Sequence, residues 1–188
     1  MNCDFIAIFH TSSHQRIDRM NGSTLKKLAI PLLLIGLLGV LAVSLSHKEQ
    51  APNVTFTTID GKKIAMSSLK GKLVLVNFWA TDCPGCIKEM PELVNTYKQY
   101  KDKGFELIAV TMPYDPPAQV LNYVKMKALP FPVMQDGYGE MQEKFGKVTL
   151  VPTTFIYDKK GNLLRHNIGE LNFTQLHQQL DVELAKSN

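Results

Sequence analysis

Apolar and polar residues alternate in short blocks along most of the chain, and each block has the period of one kind of secondary structure. Residues 54–64 alternate on both sides of an Asp-Gly pair and predict a β-hairpin. Residues 73–79 form a continuous apolar run, which is typical of a strand buried on both faces. From Pro84 to about Lys103, apolar residues recur every three to four positions, which predicts an amphipathic helix with a kink at Pro91.

The rest of the chain continues this alternation of strands and helices. By the same criteria we predict strands at 105–111, 131–134, 153–157 and 163–168, and helices at 117–127, 138–145 and 173–186. The last two strands flank a turn-rich loop and are expected to pair. Strands that alternate with helices and end in a hairpin indicate a layered α/β domain, which we expect to cover residues 54–188.

An uncharged apolar run from Leu28 to Leu45 precedes this domain. As a helix it would extend about 27 Å at ~1.5 Å per residue, close to the ~30 Å hydrocarbon core of a bilayer. Lys26 and Lys27 stand directly before it. By the positive-inside rule, residues 1–27 form an N-terminal cytoplasmic segment, 28–45 a transmembrane anchor and 46–53 a linker to an exported domain.

A cleaved signal peptide is the alternative to this anchor. Ser44 and Ser46 are small residues at the spacing that a signal peptidase recognises, but the apolar run is longer than the usual ~7–15 residues, which favours a retained anchor. Residues 1–19 have no structural pattern. Residues 20–27 by themselves form the basic n-region that precedes such an apolar run, so translation can also start at Met20. Cys3 lies before Met20 and has no assigned role.

Composition excludes several classes of protein. With 45% hydrophobic and 20% charged residues, the chain is neither wholly disordered nor a polytopic membrane protein. A formal net charge of +4, evenly spread, does not indicate a nucleic-acid partner. Three cysteines exclude a disulfide-rich scaffold, and the five histidines fall at no metal-ligand spacing, so we predict neither metal nor cofactor.

The candidate chemistry lies in Cys83-Pro84-Gly85-Cys86, which follows a buried strand and opens a helix. Unpaired backbone N–H groups at a helix N-terminus stabilise a thiolate, and Pro84 in the first turn needs no hydrogen-bond acceptor. The second thiol lies one turn further on, where it can attack a mixed disulfide formed by the first. The pattern therefore predicts thiol–disulfide exchange through Cys83 and Cys86.

Three other interpretations of the cysteine pair stay open from the residues alone. A structural disulfide would close so small a loop that it stabilises the fold weakly. Half of a zinc or copper site would need a second ligand pair, which the sequence lacks. Two unpaired core thiols would tend to oxidise in an exported domain.

Three segments carry a resemblance to a known family. VNFWATDCPGC at 76–86 resembles the active-site segment of the thioredoxin superfamily, and IKEMP at 87–91 is similar to its TlpA/ResA-like branch of membrane-anchored bacterial thiol–disulfide oxidoreductases. VPTTF at 151–155 resembles the second family signature. The resemblance covers about residues 55–185. It implies a thioredoxin-like fold with an N-terminal β-hairpin and an inserted strand and helix at about 105–135.

The resemblance also implies roles for the residues of the first two segments. Cys83 would be the attacking thiolate, Cys86 the buried resolving thiol, and Glu89 an acidic residue near both. The chain departs from the family in two places. Asp82 stands where many relatives have Trp, and its charge either disfavours the neighbouring thiolate or is simply solvated in a loop. Asn77 replaces the buried Asp of plain thioredoxin, which leaves Glu89 as the best-placed acid or base, unless it is a surface charge.

Three further site residues follow from the same resemblance. Pro152 matches the cis-proline beside the thiols, and Val151 would offer its backbone to an incoming substrate chain. Trp79 matches the tryptophan at the end of the family's central strand. It either contributes to the substrate site or only packs in the core.

The resemblance implies a single-pass protein of the bacterial cytoplasmic membrane whose domain faces the periplasm or the cell exterior. Its partners would be protein disulfides, including those of apocytochrome c before haem attachment, and a membrane thiol-transfer protein as electron donor. The competing functions are a disulfide-forming oxidase and a non-enzymatic copper-handling or assembly factor that uses the same thiols. A peroxidase is disfavoured because Ala80 stands where that class needs Thr.

Overall fold

The computed structural model describes residues 31, 33–40 and 48–186. Residues 33–40 are helical and their side chains are exposed. No helix among the described residues is both long and apolar enough to cross a bilayer. The predicted anchor at 28–45 and the cytoplasmic segment before it lie in large part outside the described residues. The chain from Lys48 onward forms a compact unit of its own.

This unit contains seven strands and four helices in the predicted order. The strands are β1 Thr55–Thr57, β2 Lys63–Ala65, β3 Leu73–Trp79, β4 Phe105–Thr111, β5 Val133–Gln135, β6 Thr153–Tyr157 and β7 Leu163–Ile168. The helices are α1 Pro84–Tyr100, α2 Pro117–Lys127, α3 Glu140–Lys144 and α4 Phe173–Ala185. Short 3₁₀ turns occupy Met66–Leu69 and Lys101–Lys103.

α1 ends at Tyr100, and the rest of its predicted length is the 3₁₀ turn Lys101–Lys103. Two shorter elements also differ from prediction, each for a local reason. The strand expected at 131–134 is Val133–Gln135, because Pro132 has no N–H for the ladder. The helix expected at 138–145 begins only at Glu140, because Gly139 directly before it is left-handed, with φ of +73°.

β3 is the centre of a five-stranded mixed sheet in the order β5-β4-β3-β6-β7. β3–β4 and β4–β5 are parallel, whereas β3–β6 and β6–β7 are antiparallel, and β1 and β2 form a separate hairpin. All seven residues of β3 are buried, as expected for a strand covered on both faces. The predicted α/β fold with its N-terminal hairpin is confirmed.

The two faces of β3 pack into two apolar clusters, because successive side chains point to opposite sides. Leu75 and Trp79 pack with α1 and α4 on one face. Phe78 belongs to the other face, where its ring centroid is 5.3 Å from Phe145 and 6.0 Å from Phe155.

The buried side of α1 differs somewhat from the predicted apolar stripe. Met90 is buried as expected. The other apolar residues of the predicted stripe are only partly buried, namely Ile87, Val94 and Tyr97. The fully enclosed positions of the helix instead include Cys86, Leu93 and two polar residues, Glu89 and Thr96. Hydropathy alone therefore missed part of the buried face.

Part of the segment predicted to be a linker packs on the domain. Ala51 N–H donates to Gly161 O at 2.8 Å, and Leu163 N–H donates to Glu49 O at 2.7 Å. These backbone groups find partners beside β7, so ordered structure begins before residue 54. The other domain limits stay predictions.

The parallel strands β3, β4 and β5 end at the same edge of the sheet. The segment with Cys83 and Cys86 follows β3 at this edge. Four residues separate the end of β3 from the beginning of α1. The antiparallel register of β3 and β6, with Phe78 opposite Thr153, brings the segment before β6 to the same edge. The end of β7 lies there too, since Ile168 pairs with Thr153.

Candidate active site

Cys83 and Cys86 form a disulfide at the start of α1, with their Cα atoms 5.3 Å apart. Cys83 caps the helix, because its Sγ accepts a hydrogen bond from Cys86 N–H at 3.1 Å, and Pro84 fills the first turn. Cys83 is partly exposed, whereas Cys86 is completely buried. The Cys83 sulfur is thus the one that lies nearer the surface, at the helix end that favours a thiolate.

Glu89 lies one turn after Cys86 and is only 3% exposed, which does not fit a solvating surface charge. Its Oε1 accepts from Asn77 Nδ2 at 3.2 Å, and its Oε2 accepts from Leu171 N–H at 3.1 Å. Asn77 Nδ2 also donates to Thr154 Oγ1 at 3.0 Å. Burial raises the pKa of Glu89, and these two donors oppose the shift. The result is a buried carboxyl, one helical turn after Cys86, that keeps its proton to a higher pH than its ordinary pKa of 4.5 would allow.

The segment before β6 contains two of the three predicted substrate-binding residues, Val151 and Pro152. The Val151–Pro152 bond is cis, as the resemblance implied. Pro152 is buried, and its carbonyl oxygen accepts from Gly169 N–H at 2.8 Å. Within residues 48–186, no backbone hydrogen bond engages the N–H or C=O of Val151, which is partly buried.

Trp79 has no exposed surface, so its side chain contacts no substrate in this state. Its ring packs 5.3 Å from that of Tyr123, and its Nε1 has no partner among the described residues. The structure therefore favours the core-packing interpretation of this residue.

Asp115, in the loop between β4 and α2, was not predicted from the sequence, yet it holds the loop before Cys83. It is 2% exposed, and its two carboxylate oxygens accept from Thr81 N–H at 2.8 Å and Thr81 Oγ1 at 2.5 Å. Gln135 Nε2 donates to Asp115 O at 2.8 Å, which fastens this loop to β5. The only sequence signal is an acid before two prolines at a helix start, which indicates a turn and gives no hint of Thr81.

The remaining groups at this edge are charged or exposed. Asp82 is exposed in the loop next to Cys83, in agreement with a solvated acid. Tyr114 is exposed as well, and its pKa is raised by partial burial and by the charges of Asp82 and Asp115. In the part of the chain that the structure describes, no group of three or more His, Cys, Asp or Glu side chains is placed to hold a metal ion.

Comparison with known proteins agrees with this geometry. Residues 47–180 match the Redoxin family. The thiol–disulfide oxidoreductase ResA of Bacillus thuringiensis subsp. konkukian is 41% identical over 132 residues, which are 70% of this chain and 75% of that protein.

Two solved structures have the same fold. A protein of Neisseria meningitidis assigned to the thioredoxins is 37% identical with a TM-score of 0.70, over 76% of this chain and 94% of that one. A thioredoxin-family thiol:disulfide interchange protein of Chlorobium tepidum TLS is 30% identical with a TM-score of 0.68, over 74% and 99% of the two chains.

The fold and the cysteine pair at the start of α1 define a redox protein of the thioredoxin superfamily. The chain belongs to the Redoxin family and is a ResA-like thiol–disulfide oxidoreductase. The TlpA/ResA-like resemblance is thereby confirmed.

Proposed function

We propose that this domain reduces disulfides of protein substrates outside the cytoplasmic membrane, with Cys83 as the attacking thiolate and Cys86 as the resolving thiol. The observation that carries the proposal is the unequal burial of the two sulfurs at the N-terminus of α1. A partly exposed Cys83 is accessible to a substrate disulfide, whereas a fully buried Cys86 reacts only with a group already attached to Cys83.

The reaction then consists of two exchanges. The Cys83 thiolate attacks one sulfur of the substrate disulfide, which breaks that bond, forms a mixed disulfide and releases one substrate thiolate. The Cys86 thiolate next attacks the Cys83 sulfur and releases the second substrate thiolate. Two electrons pass from the dithiol to the substrate, and the Cys83–Cys86 disulfide remains.

Glu89 is the proposed acceptor of the Cys86 proton. A buried thiol must lose its proton before it attacks, and Glu89 is the buried carboxyl one turn along the same helix. Asn77 hydrogen-bonds Glu89 but has no titratable proton. Its amide therefore orients the carboxyl and does not replace it.

Val151 is the proposed docking point for the substrate chain. Its backbone N–H and C=O, which no backbone hydrogen bond engages within residues 48–186, are suited to pairing with an extended peptide, which gains main-chain hydrogen bonds in this way. The carbonyl of Pro152 accepts a hydrogen bond from Gly169 N–H, which supports a fixed segment at the sheet edge from which α1 begins. Trp79 would support this site from the core, without touching the substrate.

The proposed partners are protein disulfides, apocytochrome c among them, and a membrane thiol-transfer protein that returns electrons to the Cys83–Cys86 disulfide. Membership of this family supports protein thiols and disulfides as the class of substrate. The alternatives are a disulfide-forming oxidase and a copper-handling factor, and both would use the same two sulfurs.

The reduction potential separates reductase from oxidase. We expect the full chain in detergent, equilibrated with glutathione buffers, to have a potential near that of thioredoxin, roughly −270 mV. A value near −120 mV would instead assign it to the oxidases. Tight stoichiometric binding of Cu(I), without reduction of a protein disulfide, would favour the copper-handling function.

Membrane anchoring with an exported domain is proposed from Lys26, Lys27 and the uncharged run that follows. We expect an alkaline phosphatase fusion after Asn188 to be active and to stay in the membrane fraction, while a control fusion after Lys27 is inactive. A soluble mature protein that begins at His47 would show that the run is a cleaved signal peptide.

A further inference from the structure

Three consecutive residues between β7 and α4 contact separate parts of the active site. Gly169 N–H donates to the carbonyl of Pro152, and Leu171 N–H donates to Glu89 Oε2. Glu170, between them, extends its side chain over the start of α1. The backbone on both sides of Glu170 is therefore bonded to groups of the site, and this anchoring places its carboxylate.

The side chain of Glu170 lies directly against the loop between the two cysteines. A Cβ on Gly85 would be 3.3 Å from both Cγ and Oε1 of Glu170, which is tighter than nine in ten such contacts. Gly85 has no left-handed φ that would require glycine. A side chain at this position would therefore displace the Glu170 side chain by a few tenths of an ångström.

The carboxylate of Glu170 lies beside Gly85, the residue directly before Cys86. Its Oε2 accepts from Lys88 Nζ at 2.7 Å, but both side chains are largely exposed, so this ion pair offsets the charge only in part. The Coulombic effect of Glu170 adds to burial in raising the pKa of Glu89. Asp82, in the loop before the cysteines, is a further charged residue beside them.

We propose that Glu170 is a positioning residue that sets the redox equilibrium: its carboxylate, packed over Gly85, disfavours the thiolate of reduced Cys83 and so makes the dithiol a stronger reductant. The reason is electrostatic, because a negative charge near the thiolate destabilises the reduced state relative to the uncharged disulfide. This inference rests on the proposed exchange function and concerns the same site.

The test compares Glu170→Gln, which keeps the shape and removes the charge, with Glu183→Gln as a matched control. Glu183 is on α4 and pairs with Lys186, so the control also removes a carboxylate that is paired with a lysine, although the Glu183 side chain is less exposed than that of Glu170. For Glu170→Gln in the full chain, we expect the proton affinity of the Cys83 thiol to fall by about half a unit, which is about threefold. At a pH where the thiol is mostly protonated, the rate of Cys83 alkylation by iodoacetamide should rise about threefold, and at a pH where it is mostly ionised, the equilibrium with glutathione should shift about threefold towards the dithiol. Both quantities are measured from about pH 5 to about pH 10, and the control should change neither.

A double-mutant cycle tests the contact with Gly85. Gly85→Ala should displace the Glu170 side chain and increase Cys83 alkylation on its own. In a Glu170→Ala background the same change should have no further effect on alkylation, because the group that it displaces is gone. Equal effects of Gly85→Ala in both backgrounds would overturn the inferred contact.

The two proposals fail in different ways. If Glu170→Gln leaves alkylation and the glutathione equilibrium unchanged while the parent protein reduces insulin, the inference about Glu170 is wrong and the proposed function stands. If the parent protein reduces no protein disulfide, the proposed function is wrong, even where Glu170→Gln still shifts the thiolate fraction of Cys83.

Discussion

Cys83→Ser is expected to reduce thiol–disulfide exchange to the uncatalysed background while the domain stays folded. The variant lacks the sulfur that reaches the surface, and the remaining Cys86 is fully buried. Loss of the disulfide should lower the free energy of unfolding by about 2 kcal/mol at most, because the loop between the cysteines is so short. Insulin reduction and denaturant unfolding measure the two quantities on the same preparation.

Cys86→Ser is the matched control for this prediction. It keeps the attacking thiol and removes the resolving one, so it should accumulate a mixed disulfide with the substrate, visible by mass spectrometry under non-reducing conditions. The assignment of the two sulfurs would be reversed if Cys83→Ser trapped the substrate and Cys86→Ser did not. A parent protein that shows no exchange, together with a Cys83→Ser variant that no longer unfolds cooperatively, would point to a structural disulfide.

Glu89→Gln is expected to slow the exchange about a hundredfold, at the lower end of the range for general acid–base catalysis. The carboxylate form accepts the Cys86 proton, so the parent rate should rise with pH through the pKa of Glu89, which burial holds above its ordinary value of 4.5. The glutamine variant has no such titration. Superimposable pH profiles for parent and variant would show that the proton leaves by another route.

The stability of the two proteins gives an independent check on Glu89. Because the folded state raises the pKa of this carboxyl, the folded parent favours the protonated form. The parent should therefore lose stability relative to Glu89→Gln as pH rises from below 4.5 to above the raised pKa. We expect urea unfolding between pH 4 and pH 8 to show this difference. Thr154→Val is a useful control, because it removes a partner of Asn77 and keeps the titrating group.

Much of the fold follows from local pattern. β3, β4 and α2 have the predicted limits. A continuous apolar run determines each of the two strands, and the proline at its first position determines where α2 begins. The beginning of α1 is equally local, since Pro84 needs no hydrogen-bond partner and Cys83 caps the helix. The short elements around Pro132 and Gly139 differ from prediction, because a single missing N–H or a left-handed glycine outweighs a weak pattern.

The sequence by itself determined the redox pair: Cys83 and Cys86 are separated by one helical turn at a strand-to-helix junction, and no distant residue is needed for that geometry. Only the tertiary structure decided what surrounds the pair. Glu89 is a buried carboxyl because Leu171, 82 positions away, covers it and donates to it. Thr81 is held by Asp115 across 34 positions. Such contacts depend on how the sheet edge assembles, and hydrophobic periodicity carries no information about which polar groups meet there.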